Sequence, residues 1–223
     1  MSKTVLVVAA HTDDEALGCG GTMARHVAEG DTVHTVFLAD GVSSRQDNDD
    51  GALDERQQAA ERAQQILGVS STSYLGLPDN RLDSLALLDI VQPLEVVIAR
   101  LAPDTIYTHH FGDLNIDHRK THEAVMTACR PLPGTTVKEI LTFEVMSSTE
   151  WSSAGQAPFL PTLYIDISNY LDTKQKALEA YALEMRPAPH SRNAEHISHL
   201  ATHHGHCVGV QAAEAFMVMR VLR

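Results

Sequence analysis

A buried strand followed at once by a polar turn and a helix is the feature that most restricts how this chain can fold. Residues 4–10 consist of Thr4 followed by an unbroken apolar run, which predicts a strand covered on both faces. The acidic turn at residues 11–15 follows it, and a helical pattern continues to Val27. In an α/β protein such a turn lies at the carboxyl edge of a parallel sheet, where ligands bind. We therefore expect the functional site at residues 11–15.

Strand and helix patterns alternate along the rest of the chain. Further strands are predicted at residues 32–38, 73–75, 105–108, 138–143 and 163–167. Helices are predicted at residues 54–67, 85–101 (with an interruption at Pro93) and 118–129, while residues 170–185 and 192–223 are mostly helical in pattern. This alternation predicts an α/β protein with a three-layer Rossmann-like fold and a mostly parallel central sheet, in a single domain spanning residues 1–223.

Composition narrows the class of partner. The formal charge of −12 at pH 7 argues against nucleic acid, whose phosphates it would repel, and favours a neutral or cationic small substrate. No apolar run approaches the length of a membrane span and no secretory leader pattern opens the chain, so we expect a soluble cytoplasmic protein. The three cysteines are odd in number and far apart, which suits reduced thiols.

The acidic turn predicts a metal site. Adjacent carboxylates repel one another unless a cation or a proton neutralises them. His11 and Asp14 are three residues apart, so both can converge on one ion and leave Asp13 beside it to take a proton from bound water. If the first strand and the strand at residues 105–108 are central neighbours, His118 would face the same crevice. The alternative is an acidic helix start, which the helix macrodipole alone favours.

Gly18, Gly20 and Gly21 follow the turn and superficially suggest dinucleotide binding. The G-x-G-x-x-G fingerprint of such sites is absent. We expect these small residues instead to let the first helix pack closely on the sheet.

Two motifs resemble those of the LmbE/PIG-L family of zinc-dependent N-deacetylases. The family's A-H-P-D-D-E appears at residues 10–15 as Ala-His-Thr-Asp-Asp-Glu, with Thr12 in place of the usual proline. Its distal H-x-D-H appears at residues 115–118 as Asn-Ile-Asp-His, with Asn115 replacing the first histidine. The likeness runs from the first strand through the helix after the second motif. A weaker match lies in the Pro-His-Ser-Arg sequence of residues 189–192.

The resemblance implies an LmbE-like fold and a bound zinc ion (Zn2+). The zinc ligands would be His11, Asp14 and His118, and Asp13 would be the general base. Asp117 would accept a hydrogen bond from a histidine and so fix the ring, although an ordinary helix-start carboxylate explains this residue equally well.

The resemblance also implies a sugar-binding site. Arg56 and Asp79 match positions at which family members bind sugar hydroxyls, and both lie beyond predicted strand ends. Considered without the family, Arg56 is a surface helix residue that could pair with Asp54 or Glu55.

Asn115 stands where a family histidine could donate a proton to the leaving amine. An asparagine has no proton to give near neutral pH. Asp13, once it has taken a proton from water, is the simplest source. His190 is the alternative if the fold brings its turn over the crevice, and it is otherwise a surface turn residue.

These motifs together predict a zinc-dependent hydrolase that removes an acetyl group from an N-acetylated sugar or sugar conjugate. Two alternatives stay open. One is hydrolysis of another small amide, such as an N-formyl group. The other is a non-catalytic Rossmann-like protein that binds a metal or a nucleotide. The sequence also leaves open the sugar, its nucleotide, lipid or glycan carrier, and whether the chain forms a homo-oligomer.

Overall fold

The computed structural model describes residues 2–41, 43 and 52–223 of the 223-residue chain. The strands within those ranges are β1 (Thr4–Ala9), β2 (Thr32–Ala39), β3 (Ser71–Leu77), β4 (Thr105–His109), β5 (Glu139–Phe143), β6 (Leu163–Asp166) and β7 (Ala213–Val221). The α-helices are α1 (Asp14–Ala28), α2 (Ala52–Leu67), α3 (Leu87–Leu101), α4 (Ile116–Ala128), α5 (Leu171–Ala180) and α6 (Ala194–Val208). None of these helices is both long and apolar enough to cross a membrane.

One sheet joins the seven strands of the described ranges in the order β3-β2-β1-β4-β5-β7-β6. Strands β1 to β5 pair in parallel, whereas β7 pairs antiparallel with both β5 and β6. The strand order reverses between β1 and β4, and a crevice opens at the carboxyl ends of neighbouring strands at such a point. The predicted α/β class and mostly parallel sheet are confirmed.

Helices cover both faces of the sheet because side chains of each central strand alternate between two apolar clusters. In β1, Val5 and Val7 belong to a cluster shared with α1, α2 and α5. Leu6 and Val8 belong to a cluster shared with α3 and α4. All four side chains are completely buried. The result is the three-layer arrangement that the sequence predicts.

Two glycines of α1 let the helix approach its neighbours closely. A Cβ atom on Gly18 would lie 2.2 Å from Cδ2 of Phe143, and one on Gly21 would lie 2.7 Å from Cδ1 of Ile167. A Cβ atom on Gly20 would make only ordinary van der Waals contacts. The close-packing interpretation is therefore confirmed for Gly18 and Gly21.

Two predictions about the helices are wrong. Residues 192–223 are not mostly helical, because α6 ends just before Gly209, which adopts a left-handed φ of 83°, and the chain then returns to the sheet as β7. Pro93 does not interrupt α3. Ile90 and Leu94 on either side of it are completely buried, and their packing offsets the hydrogen bond that the proline removes.

Candidate active site

The ends of β1 and β4 bring together the three residues predicted to bind a metal. His11 follows β1, Asp14 begins α1, and His118 lies in the first turn of α4. All three are buried, and one donor atom from each lies within 4.8 Å of the others. Oδ2 of Asp14 lies 3.3 Å from Nδ1 of His11 and 3.4 Å from Nε2 of His118.

These separations suit a zinc ion. Zinc binds nitrogen and oxygen at about 2.0–2.1 Å in tetrahedral geometry, which puts neighbouring donor atoms about 3.3–3.4 Å apart. Two imidazoles and one carboxylate are also a ligand set of catalytic zinc sites, in which the fourth position stays open for water or substrate. The donor atoms present therefore fit the predicted cofactor.

Two buried carboxylates orient the ring of His11. Its Nε2 atom lies 3.1 Å from Oδ2 of Asp117 and 3.1 Å from Oδ1 of Asp79. The backbone N–H groups of Asn80 and Leu82 donate to the Asp117 carboxylate at 2.7 and 3.0 Å. Asp117 therefore makes the histidine contact expected of it and holds the His11 ring in one orientation.

Asp113 supports His118 in the same way, and sequence reasoning missed it. Its Oδ1 atom lies 3.2 Å from Nδ1 of His118. Ser148 donates its hydroxyl to the same oxygen, and Thr149 donates to Oδ2 at 2.6 Å. Burial raises the pKa of Asp113, but His118 and the two hydroxyls hold it well below its usual value. The signal in the sequence was its position five residues before His118, in the same polar stretch.

The carboxylates around the two histidines favour protonated rings in the metal-free protein. Burial lowers the pKa of His11, but hydrogen bonds to carboxylates, that of Asp117 foremost, raise it well above its usual value. Burial also opposes the charge on His118, yet Asp14 and Asp113 raise its pKa to about 9. Because a metal binds the neutral imidazole, the metal must displace these protons.

A third imidazole nearby is not available as a ligand. Nε2 of His109 accepts the backbone N–H of Ala10 at 2.8 Å, which occupies its lone pair. The ring stacks on that of His118 with centroids 3.9 Å apart. His109 therefore belongs to the scaffold that supports the cluster.

Asp13 is held beside the candidate metal ligands in a strained backbone conformation. Its φ of 107° lies in the left-handed region, which costs a non-glycine residue on the order of 1–3 kcal/mol. Its N–H donates to Glu15 at 3.0 Å, and Arg192 donates to its Oδ2 atom at 2.8 Å. Burial raises the pKa of Asp13 to about 6, against the opposing charge of Arg192. A carboxylate with a pKa near neutrality is suited to proton transfer.

Glu15, the third carboxylate of the turn, faces the interior. Its Oε1 atom accepts hydrogen bonds of 2.7 Å from both Gln64 and the hydroxyl of Tyr181, while Oε2 accepts the N–H of Asp13. Burial raises the pKa of Glu15 to about 7, although the Tyr181 hydrogen bond opposes this. Glu15 therefore anchors the strained turn from beneath the site.

A cavity of about 200 Å³ opens beside the three candidate metal ligands. Besides those three residues and Asp13, its lining residues are Gly41, Arg56, Asp79, Asn80, Asn115, Ser147, Ser148, Glu184 and Arg192. Of the other residues predicted for the site, Arg56, Asp79 and Asn115 therefore line the cavity, whereas Asp117 and His190 do not. Nearly all of its lining is polar or charged.

Arg56 reaches the cavity from α2. Its Nη1 atom lies 2.9 Å from Oε1 of Glu184, and its Nε and Nη2 atoms lie 3.5 Å from Oγ1 and the carbonyl oxygen of Thr12. The Arg56 side chain is only 11% exposed. A solvated surface helix residue, the alternative interpretation, does not describe it.

Asn115 caps α4 and faces the cavity. Its Oδ1 atom accepts the N–H of Asp117 at 2.8 Å, and its Nδ2 atom donates to Oδ1 of Asn80 at 3.3 Å. The cap explains why an amide is stable at this helix start. The cavity therefore has no general acid at position 115, because an amide does not release a proton near neutral pH.

The turn that contains His190 reaches the cavity through a different residue. Nδ1 of His190 accepts the N–H of Arg192 at 3.0 Å, and its ring packs edge-on against Trp151 with centroids 5.4 Å apart. Arg192 lines the cavity and contacts Asp13. Sequence reasoning noted the Pro-His-Ser-Arg turn but gave Arg192 no role.

Comparison with known proteins identifies the family. Residues 6–129, more than half of the chain, match the profile described as PIG-L: GlcNAc-PI de-N-acetylase. The chain belongs to the PIG-L family. A relative from Escherichia coli (strain K12), named "Uncharacterized deacetylase YaiS", is 32% identical over 185 residues, which cover 80% of this chain and 90% of the relative. The predicted LmbE/PIG-L resemblance is confirmed, and the family is one of deacetylases.

Solved structures share the fold of this PIG-L chain. N,N'-diacetylchitobiose deacetylase from Pyrococcus horikoshii has a TM-score of 0.78 at 20% identity, covering 98% of this chain and 84% of that one. GalB, the 4-carboxy-2-hydroxymuconate hydratase from Pseudomonas putida KT2440, has a TM-score of 0.75 at 24% identity, covering 99% and 98%. Because one neighbour is a deacetylase and the other a hydratase, the fold alone does not choose the reaction.

Proposed function

We propose that this PIG-L protein is a zinc-dependent hydrolase that removes the acetyl group from an N-acetylated sugar or sugar conjugate. The observation that carries the proposal is the convergence of His11, Asp14 and His118, with Asp13 in the same cavity. Three metal ligands, an open coordination position and a base are the parts that metal-assisted amide hydrolysis requires. Membership of a deacetylase family supports N-deacetylation as the reaction.

His11, Asp14 and His118 would hold the zinc ion. When bound, zinc lowers the pKa of a water molecule and polarises a carbonyl group. Asp117 fixes the ring of His11 and Asp113 fixes that of His118, so both imidazoles keep one orientation through the reaction.

Asp13 is the proposed general base. Arg192 binds its Oδ2 atom, which leaves Oδ1 to accept a proton from the attacking water. The protonated carboxyl group then supplies that proton to the leaving amine, because Asn115 has none to give and His190 does not line the cavity. One residue therefore takes the proton and returns it.

Arg56, Asp79 and Asn115 are the proposed contacts to the sugar. They offer both hydrogen-bond donors and acceptors around the cluster, which suits a ring that carries hydroxyl groups. The Pyrococcus horikoshii neighbour is, by its name, a deacetylase of an N-acetylated sugar. The polar lining disfavours an apolar chain in this cavity.

The two alternatives differ in what they leave unexplained. Hydrolysis of an N-formyl group would use the same residues and differs only in the acyl group that it removes. A protein that merely binds an ion needs no base, and it gives no reason for the strained φ of 107° at Asp13. Strain of this kind is typical of active sites, so a hydrolase accounts for more of the structure.

Release of acetate and free amine by the zinc-loaded protein tests the proposal. The panel consists of N-acetylglucosamine, N-formylglucosamine and N,N'-diacetylchitobiose. We expect acetate release that a chelator abolishes and added zinc restores. Faster release of formate would favour the other amide hydrolase. A zinc-loaded protein that hydrolyses none of the compounds would contradict the enzyme assignment.

A further inference from the structure

A second cavity lies at the opposite edge of the sheet from the candidate active site. It has a volume of about 270 Å³ and lies between the last turns of α1 and the strands β4 to β7. Lys3 and Glu139, which line it, lie at the amino ends of β1 and β5. Asp14 and His26 are 12 positions apart on α1, which corresponds to about 18 Å along a helix. This cavity, here called the amino-edge cavity, is therefore separate from the proposed metal site.

The amino-edge cavity has a buried end and an exposed rim. Thr22 and Tyr107 are almost completely buried, whereas the side chains of Lys3 and Arg223 are 43% and 76% exposed. Its apolar lining residues are Leu141, Leu163, Ile165 and Val221. Its volume is close to the lower end of the range for small organic ligands, about 300–1,000 Å³. We propose that it binds a small hydroxy acid, in which an apolar, ring-sized body carries a hydroxyl group at one end and a carboxylate at the other.

The hydroxyl group of Thr22 provides the first polar group of the buried end. Its Oγ1 atom is buried and has no hydrogen-bond partner within the part of the chain that the structure describes. The backbone N–H of the same residue is satisfied, because it donates to Oε2 of Glu214 at 2.7 Å. Buried polar groups in folded proteins are nearly always hydrogen-bonded. A ligand hydroxyl in the cavity would supply the partner that Thr22 lacks.

A chain of three side chains fixes a second polar group there. Nδ1 of His26 lies 2.8 Å from Oδ2 of Asp31, and Nε2 lies 2.9 Å from the hydroxyl of Tyr107. Burial raises the pKa of Asp31, but the N–H of Lys3 and the His26 ring hold it below its ordinary value, so its carboxylate accepts from Nδ1. In the neutral ring Nε2 then accepts the Tyr107 hydroxyl. The Tyr107 oxygen keeps its lone pairs for a donor on the ligand.

The rim of the amino-edge cavity has one surplus positive charge. Lys3 lies 3.4 Å from Oε2 of Glu139, and Arg223 pairs with the same carboxylate. Arg25 pairs with Glu29 at 2.8 Å. Lys3 and Arg223 together carry more N–H donors than one carboxylate accepts, so they can also bind an anion, although the whole chain has a formal charge of −12. One surplus charge suits a monocarboxylate better than a phosphate group, which carries about 1.5 to 2 negative charges.

Calorimetric titration of the zinc-loaded protein with three small aromatic probes tests the proposal. 4-Hydroxybenzoate carries both polar groups, benzoate lacks the hydroxyl group, and 4-methylphenol lacks the carboxylate. We expect 4-hydroxybenzoate to bind about threefold to tenfold more tightly than either of the others, because each of them loses one polar interaction. No binding of 4-hydroxybenzoate at millimolar concentration, or equal affinities for the three probes, would overturn the proposal.

Thr22→Val tests the buried end. Valine replaces the hydroxyl group by a methyl group of similar size and leaves no broken hydrogen bond behind, so the fold should tolerate it. We expect 4-hydroxybenzoate and benzoate to bind equally well to this variant. The control is Thr121→Val, at another buried hydroxyl without a partner among the described residues but outside this cavity. It should keep the wild-type ratio of affinities. An unchanged ratio in Thr22→Val would contradict the proposal.

Arg223→Gln tests the rim at an exposed position, where the fold is not at risk. We expect the affinity for 4-hydroxybenzoate to fall about twofold to fivefold and that for 4-methylphenol to stay unchanged. The control is Arg130→Gln, which changes an exposed arginine paired with Glu95 outside the cavity. It should change neither affinity. Equal losses for both probes in Arg223→Gln would contradict binding of the carboxylate at this rim.

His118→Ala separates the amino-edge cavity from the metal site, because a carboxylate can also bind zinc. We expect this variant to bind 4-hydroxybenzoate as tightly as the wild type does, whether or not the protein hydrolyses an amide. Loss of binding in His118→Ala would place the acid on the metal and overturn the proposal.

Discussion

The guanidinium group of Arg192 lies 2.8 Å from Oδ2 of Asp13, although 179 positions separate the two residues. The same side chain donates from Nε to the hydroxyl of Ser147 at 3.0 Å. Arg192 therefore joins the turn before α6 both to Asp13, the proposed base, and to the loop after β5. We infer that it holds the Asp13 carboxylate in one orientation.

Arg192→Gln tests this inference. The amide keeps a donor but loses the charge and the second arm, so we expect kcat to fall about 10-fold to 100-fold while zinc content stays at the wild-type level. If Arg192 acts through Asp13, the change should cost little more in an Asp13→Asn background. A double-mutant cycle on kcat measures this. Fully additive losses would show that Arg192 has a separate role.

Asp113→Asn tests how His118 is positioned. The amide can offer its Nδ2 protons to the ring but lacks the negative charge that orients the imidazole, so zinc affinity should fall about 10-fold to 100-fold. The control is Asp172→Asn, which changes an exposed carboxylate on α5. Zinc dissociation constants from competition with a chromophoric chelator provide the measurement. If Asp113→Asn binds zinc as tightly as Asp172→Asn does, Asp113 does not support the metal site.

His118 should make the metal-free protein less stable as pH rises. Its pKa is about 9 in the folded chain and about 6.5 when unperturbed, so its charge stabilises the fold fully below pH 6.5 and this contribution is lost on approaching pH 9. Zinc binding should strengthen over the same range, because ligands must release protons.

Thermal unfolding at pH 7 to 9 checks both trends. We expect Tm to fall with pH in the presence of a chelator and the increase in Tm on adding zinc to grow. His118→Gln should flatten the first trend. A metal-free Tm that rises across this range would contradict the assignment of the raised pKa to His118.

The source of the amine proton is tested at His190. If Asp13 returns the proton that it took, His190→Ala should leave kcat and its pH profile near those of the wild type. If His190 is the acid, the same change should cost roughly 100-fold in kcat and remove a limb of the pH–rate profile. Steady-state kinetics from pH 5 to 9 decide between the two.

The sequence predicted those parts of the site that follow from local pattern and sheet geometry. His11 and Asp14 lie in a turn directly after the buried strand β1. His118 follows β4, the strand that pairs with β1. The contact between Arg192 and Asp13 joins segments that are far apart in the chain. Hydrophobic periodicity predicts helices and strands, and it does not predict such a long-range contact. It depends on the route of the chain after α5.

The errors have a similar origin. The start of β7 is buried at every residue from Ala213 to Phe216, the charged Glu214 included, and the sequence of so short a segment did not separate a strand from a helix. Gly209 was the stop signal that sequence reasoning passed over. The cavities could not be predicted at all, since their shape depends on how the helices pack on the sheet.

Zinc content and kcat, measured on the same preparations, test the central claim most directly. His11→Ala, Asp14→Ala and His118→Ala should each lose zinc and activity together. Asp13→Asn should keep about one zinc per chain while kcat falls on the order of 100-fold or more. His199→Ala, at a side chain that is 70% exposed, should change neither quantity. Full zinc occupancy in all three ligand variants, or a near-wild-type kcat in Asp13→Asn, would contradict the account.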